Sequence, residues 1–184
     1  MRLSPVSEGD LEELFSLHAD ARAFVDDLTE PLTARAQMRW VLSRWIEHWQ
    51  RHGFGYFAVR ARGRTGLPAG LLGVVGLATL EADADGGRDR ATEAASASGD
   101  SALLSAYWRL DPGAVGRGVA TEAMAAVIDD PVVGARECAV VAVTAAGNAA
   151  SRALAARLGF RAAAPDRPVP GDRPGDVLLV RPGA

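Results

Sequence analysis

Residues 107–128 read YWRLDPGAVGRGVATEAMAAVI and carry the densest chemistry in the chain. A strand-like start breaks at Asp111-Pro112-Gly113, passes through Val115-Gly116-Arg117-Gly118-Val119-Ala120, and continues as strong helix formers from Thr121. A strand that enters a glycine-bearing turn opening a helix leaves several backbone N–H groups unpaired and aimed one way. With the positive end of the helix dipole behind them, such donors suit a phosphate or pyrophosphate. Gly116 and Gly118 carry no Cβ, so a ligand's oxygens can approach the main chain closely. Arg117 can add a charge-assisted bond from the rim. The ligand expected is one that bears phosphate.

Three phosphate-binding turns differ in what they need besides glycine. A Walker A loop needs a lysine after its second glycine, and all 20 basic residues of this chain are arginine. A dinucleotide-binding turn needs a third glycine or alanine and an acid at the end of the next strand. Here the third position is Thr121, and the strand expected at 138–144 ends without an acid. The third template is the Q/R-x-x-G-x-G/A turn of the GCN5-related N-acetyltransferases. Residues Val115-Gly116-Arg117-Gly118-Val119-Ala120 resemble it at Gly118 and Ala120, with valine in the leading place. The stretch ATEAMAAVI resembles the A-T-E-A helix start of the branch that includes ribosomal-protein N-terminal acetyltransferases. Further on, Asn148-Ala149-Ala150-Ser151, then Ala153-Leu154 and Leu158-Gly159-Phe160, resemble that branch's N-x-x-S…L-G-F segment. The resemblance extends loosely over the whole chain.

It implies an α/β fold with a mixed central β-sheet, helices on both faces, and a splay between the fourth and fifth strands that admits acetyl-CoA. In that picture Val115, Gly116, Arg117, Gly118, Val119, Ala120 and Thr121 hold the pyrophosphate. A backbone N–H at Leu110 or its neighbours polarises the acetyl carbonyl, Asn148 holds the pantetheine arm, and Ser151 hydrogen-bonds the departing sulfur. Asn148 also reads as the N-cap of its helix, Thr121 and Ser151 as first-turn residues. Two departures stand out. The strand glutamate common in the family falls at Ser105, and the helix tyrosine that protonates the thiolate in many members falls at Ala155. The amine's proton must then go to Glu81, Asp83, Asp100 or a water held by Ser105, each of which also reads as a solvated polar group.

The activity implied is acetyl transfer to a primary amine by direct attack in a ternary complex, since no cysteine or serine stands as an obvious acyl carrier. A protein N-terminus, an amino sugar, an amino acid and a polyamine all stay open as acceptors. Two rivals stay open as well: an acyl-CoA-binding sensor or assembly module without turnover, and an unrelated nucleotide-binding α/β domain.

Composition sets the bounds. The chain's 184 residues fit one domain, 1–184, that buries about 70% of the surface its unfolded state exposes. At 48% hydrophobic and 23% charged it is an ordinary globule. A net charge of −3 with scattered arginines argues against a nucleic-acid partner. No membrane partner and no metal are expected, and a monomer or homodimer in the cytoplasm is the default. The single cysteine, Cys138, sits in an apolar run and reads as core filling.

The elements that must position the turn follow from periodicity. A strand at 3–6 is followed by a helix to about Ala19, with Ser7 and Asp10 as its capping signal. A second helix near 33–51 carries Met38, Val41, Trp45 and Trp49 on one side, and Gly53 ends it. The group Trp40, Trp45 and Trp49 reads as core or dimer surface, and His52 and Tyr56 as acceptor contacts. Strands at 54–61 and 70–80 form a hairpin. Residues 82–100, ADADGGRDRATEAASASGD, have little to bury and read as a flexible insertion. A strand at 102–110, a helix at 118–129, a strand at 138–144, a helix at 148–158 and a strand at 176–181 complete the order. On the strand before the turn, Tyr107 and Trp108 must face opposite layers.

Overall fold

The apolar run at residues 71–79 places seven consecutive buried residues at the centre of a sheet, as expected of a strand covered on both faces. In the computed structural model, which describes residues 1–63, 66–80, 103–134, 136, 138–164, 166–171 and 173–183, that sheet has seven strands. They are β1 (Arg2–Pro5), β2 (Tyr56–Arg60), β3 (Leu71–Thr79), β4 (Leu104–Leu110), β5 (Val140–Ala145), β6 (Arg161–Ala162) and β7 (Asp176–Arg181), in the order β1-β2-β3-β4-β5-β7-β6. All neighbours are antiparallel except β4 and β5. The sheet is mixed, as expected. The insertion read at 82–100, and with it Glu81, Asp83 and Asp100, lies outside the described residues.

Among the described residues five helices cover it: α1 (Leu11–Ala19), α2 (Arg35–His52), α3 (Val119–Ile128), the single turn α4 (Pro131–Gly134) and α5 (Ala149–Arg157). Adjacent strand residues point to opposite layers. Ala58 and Val74 pack with Leu14 and Leu17 of α1 and Met38 and Leu42 of α2. Val59 and Val75 pack instead with Val119, Ala123, Met124 and Val127 of α3 and Ala155 of α5. Burying each of the valines, leucines and methionines among them stabilises the fold by about 1.5–3 kcal/mol. No helix among the described residues is long and apolar enough to cross a membrane.

Several local readings are corrected. The capping pair Ser7 and Asp10 forms, with the Ser7 N–H and hydroxyl donating to Asp10 Oδ2 at 2.7 and 2.8 Å, but it opens a 3-10 turn, Glu8–Asp10, and α1 proper starts at Leu11. The 3-10 turn Ala21–Phe24, α4 and the two-residue β6 were not expected, because segments that short carry no periodic signal. Trp45 and Trp49 pack against the α1/α2 core, whereas Trp40 is 67% exposed and takes no part in it. Cys138 is half-buried against the α3 layer and donates its thiol to the Arg136 carbonyl.

Polar groups buried under α1 tie it to β4. His18 Nδ1 lies 2.8 Å from the Leu14 carbonyl, which only accepts, so Nδ1 carries the proton. Its Nε2 then accepts from the Tyr107 hydroxyl at 3.0 Å, and the Tyr107 oxygen accepts from Arg109 Nε at 3.0 Å. Burial holds the His18 imidazolium down to about 4, the Arg109 charge adds to this, and the Leu14 bond opposes it. The unfolded chain takes up this proton near 6.5 and the folded chain only near 4, so stability present above pH 6.5 is lost as pH falls towards 4. Between pH 7 and pH 5 this one group should cost about 2 kcal/mol. Urea unfolding of His18→Gln at the two pH values should show a pH dependence smaller by that amount. An unchanged dependence would clear His18 of the effect.

Candidate active site

β4 and β5 pair at two positions only, Leu104↔Val140 and Ser105↔Val141. The direction of the β4 amides follows from its other neighbour. Leu80 N–H bonds the Leu103 carbonyl and Asp111 N–H the Leu72 carbonyl, so the odd-numbered residues of this stretch exchange bonds with β3. The even-numbered amides therefore face β5, as the Leu104 N–H shows by bonding the Ala139 carbonyl. Beyond Ser105 the partner strand has diverged. The amides of Trp108 and Leu110 then face a cleft.

The cleft encloses about 1060 Å³. Asp111 shapes its approach by accepting from the Gly113 N–H at 2.7 Å, which folds Pro112–Ala114 into a 3-10 turn. The chain then reaches α3 through Gly116 and Gly118, at φ of 74° and 77°, a backbone region in which a Cβ is strained. The first N–H of α3 to find a carbonyl of its own turn is that of Glu122, on Gly118. Those of Val119, Ala120 and Thr121 are the donors a helix start leaves over. Val119, Ala123, Met124 and Val127 send one stripe of α3 into the core, and Gly118, Thr121, Glu122 and Ala125 line the cleft on the other.

Across the cleft stands α5. Asn148 caps it, its Oδ1 accepting from the Ser151 N–H at 2.9 Å, so the capping reading holds and the side-chain amide nitrogen is left to donate. Ser151 Oγ accepts from the Trp108 indole N–H at 3.2 Å, a bond that spans the splay from β4 to α5. With a lone pair so occupied, the hydroxyl proton is left to donate. Leu110, Val115, Gly116, Gly118, Val119, Ala120, Thr121, Asn148 and Ser151 thus share one cleft. Arg117 does not line it. Its Nη1 donates to the Gly66 carbonyl at 2.7 Å, outside the turn.

A family profile described as "Acetyltransferase (GNAT) domain" matches residues 1–161. The chain belongs to this acetyltransferase family. Solved GNAT structures share its fold at low identity. An acetyltransferase from Agrobacterium tumefaciens matches at TM-score 0.70 and 19% identity, over 97% of this chain and 88% of that one. A ribosomal-protein-alanine N-acetyltransferase from Brucella melitensis matches at 0.66 and 19%, over 99% of both chains. A spermidine N-acetyltransferase from Vibrio cholerae, in complex with CoA and spermine, matches at 0.64 and 15%, over 97% and 92%. No curated protein matches by sequence.

As a GNAT domain the chain departs from expectation on the acceptor side. Ser105 sits opposite Ala78 on the α1/α2 face and does not line the cleft. Ala155 is fully buried in the core and does not line the cleft. Neither His52 nor Tyr56 reaches it. Tyr56 stacks on Trp45 at 4.4 Å and lines a separate hollow of about 280 Å³, and His52 stacks on His48. Sequence reasoning missed the wall that is present, where Arg22, Ala23, Val25, Asp26 and Asp27 join Arg109. Charged residues in a connecting segment gave no signal of what they face.

Proposed function

We propose that this chain moves the acetyl group of acetyl-CoA to a primary amine, a protein N-terminus or a small molecule, by direct attack in a ternary complex. The observation that carries this reading is the convergence in one cleft of the turn amides, the Leu110 amide and the Ser151 hydroxyl. Gly116, Gly118, Val119, Ala120 and Thr121 hold the pyrophosphate, Asn148 holds the pantetheine, and Leu110 N–H receives the acetyl oxygen as negative charge develops on it. The neutral amine attacks the thioester carbon, the C–S bond breaks, and the sulfur leaves as a thiolate that takes a hydrogen bond from Ser151. Cys138 lies outside the cleft, which supports attack without an acyl-enzyme. Asp26 lines the cleft, exposed and with no hydrogen-bond or ion-pair partner among the described residues, and is placed to receive the ammonium proton directly or through water. The solved relatives named for a ribosomal-protein alanine and for spermidine support an amine acceptor.

Two substitutions test the assignment. A Cβ built on Gly118 meets no heavy atom within 4 Å, so the fold has room for a side chain there and pays only the strain of φ 77°. Gly118→Glu should therefore fold yet lower CoA affinity by at least ~100-fold through bulk and like charge, as read by calorimetry. Unchanged affinity removes the pyrophosphate from this turn. Ser151→Ala should lower kcat by about 10–100-fold with acetyl-CoA affinity nearly intact. An unaffected rate would leave Ser151 a helix residue alone, and acetyl-CoA binding with no turnover by the wild type on any amine would make the chain a binding module.

A further inference from the structure

Residues 20–27 form the cleft wall on the α1/α2 side, and burial of apolar surface does little to hold them. Phe24 is buried, but Val25 stands 78% exposed and the following Leu28 44%. Polar bonds do the holding, and they converge on one side chain. Arg109, 9% exposed, donates from Nη1 to the Ala23 carbonyl at 2.7 Å and from Nη2 to Asp27 Oδ2 at 2.7 Å. Its guanidinium carbon lies 3.6 Å from the centroid of the Phe24 ring. Behind it, Nε is fixed by Tyr107, which is fixed by His18. Asp27 also accepts from the Thr29 N–H at 2.9 Å, so the clamp ends in a turn and not in a loose carboxylate. Burial works to raise the Asp27 carboxyl, but the bonds from Thr29 and Arg109 outweigh it and hold it below the usual range. The opposite wall carries the phosphate donors of the turn, which leaves this one for the second substrate.

We propose that Arg109 is a positioning residue for the acceptor: by gripping Ala23, Phe24 and Asp27 it fixes residues 20–27 as the surface against which the amine is held. This rests on the acetyl-transfer reading above. Arg109→Lys keeps the charge but gives up the two-pronged grip, and Asp27→Asn weakens one prong without emptying the buried site. Amide exchange at residues 21–29 should accelerate by at least ~10-fold in both variants while the rest of the chain keeps its protection. Affinity for acetyl-CoA should change by less than about twofold, and KM should rise by ~5-fold or more with kcat within about twofold. The amine used is the better substrate of spermidine and an alanine-initiated hexapeptide. Unchanged exchange at 21–29, or a fall in kcat with KM fixed, overturns the role given to Arg109 while leaving acetyl transfer intact. A wild-type chain with no affinity for acetyl-CoA overturns the acetyl-transfer reading itself, and the acceptor role of this wall goes with it.

Discussion

Parallel strands that share only the positions Leu104↔Val140 and Ser105↔Val141 leave the second half of β4 with amides on one side and no strand to meet them. An amide buried without an acceptor costs about 1–3 kcal/mol, so such an edge persists only where water or a ligand reaches it. Trp108 props this edge open. Its indole sits between β4 and the helix that β5 carries, bonded to Ser151 and edge-on to Phe160. The cleft is thus part of how the sheet is built.

Both helices that follow the divergent strands start at this opening, and both turn their small side chains towards it. Behind the Gly118 cap α3 presents Thr121 and Ala125, and α5 presents Ala150 and Ala153, with Glu122, Leu154 and Arg157 lining the groove beside them. Met124 and Val127 of α3 go to the core, so the spacing that fixes this helix on the sheet also turns its small residues to the groove. At about 1060 Å³ the cleft stands at the upper end of small-molecule sites, which suits an extended ligand bound along two helices.

What the sequence made legible was local. The break at Asp111-Pro112-Gly113, the turn glycines and the Asn148 cap each depend on residues within one or two helical turns, and each was readable there. The acceptor wall was not, because its geometry is set by contacts such as Arg109 to Asp27, 82 residues apart. Arg117 shows the same limit in reverse. The sequence reading put its side chain at the rim of a phosphate site, but a carbonyl at Gly66, 51 residues away, draws its guanidinium outward. The sequence offered Ser105 and Ala155 for the family's glutamate and tyrosine, and only the sheet and the packing show that one lies on the α1/α2 face outside the cleft and the other is enclosed by core.

Proton traffic bears on which acceptor suits such a site. Thiols ionise near pH 8.5, so a thiolate leaving group asks for little more than a hydrogen bond, and a serine can supply that in place of tyrosine. The incoming amine makes the larger demand. At pH 7 about a tenth of an α-amine is already neutral, against roughly one in 2,500 for an alkylamine like that of lysine. Among the described residues the cleft's one unengaged carboxylate on the α1/α2 side is Asp26, which is exposed. With Asp27 committed to Arg109, and Ser105 on the same face as Arg109 but outside the cleft, no buried glutamate lines this cleft among the described residues. On the proposed reading, an acceptor that arrives partly neutral, such as a peptide N-terminus, asks less of that arrangement than a polyamine does.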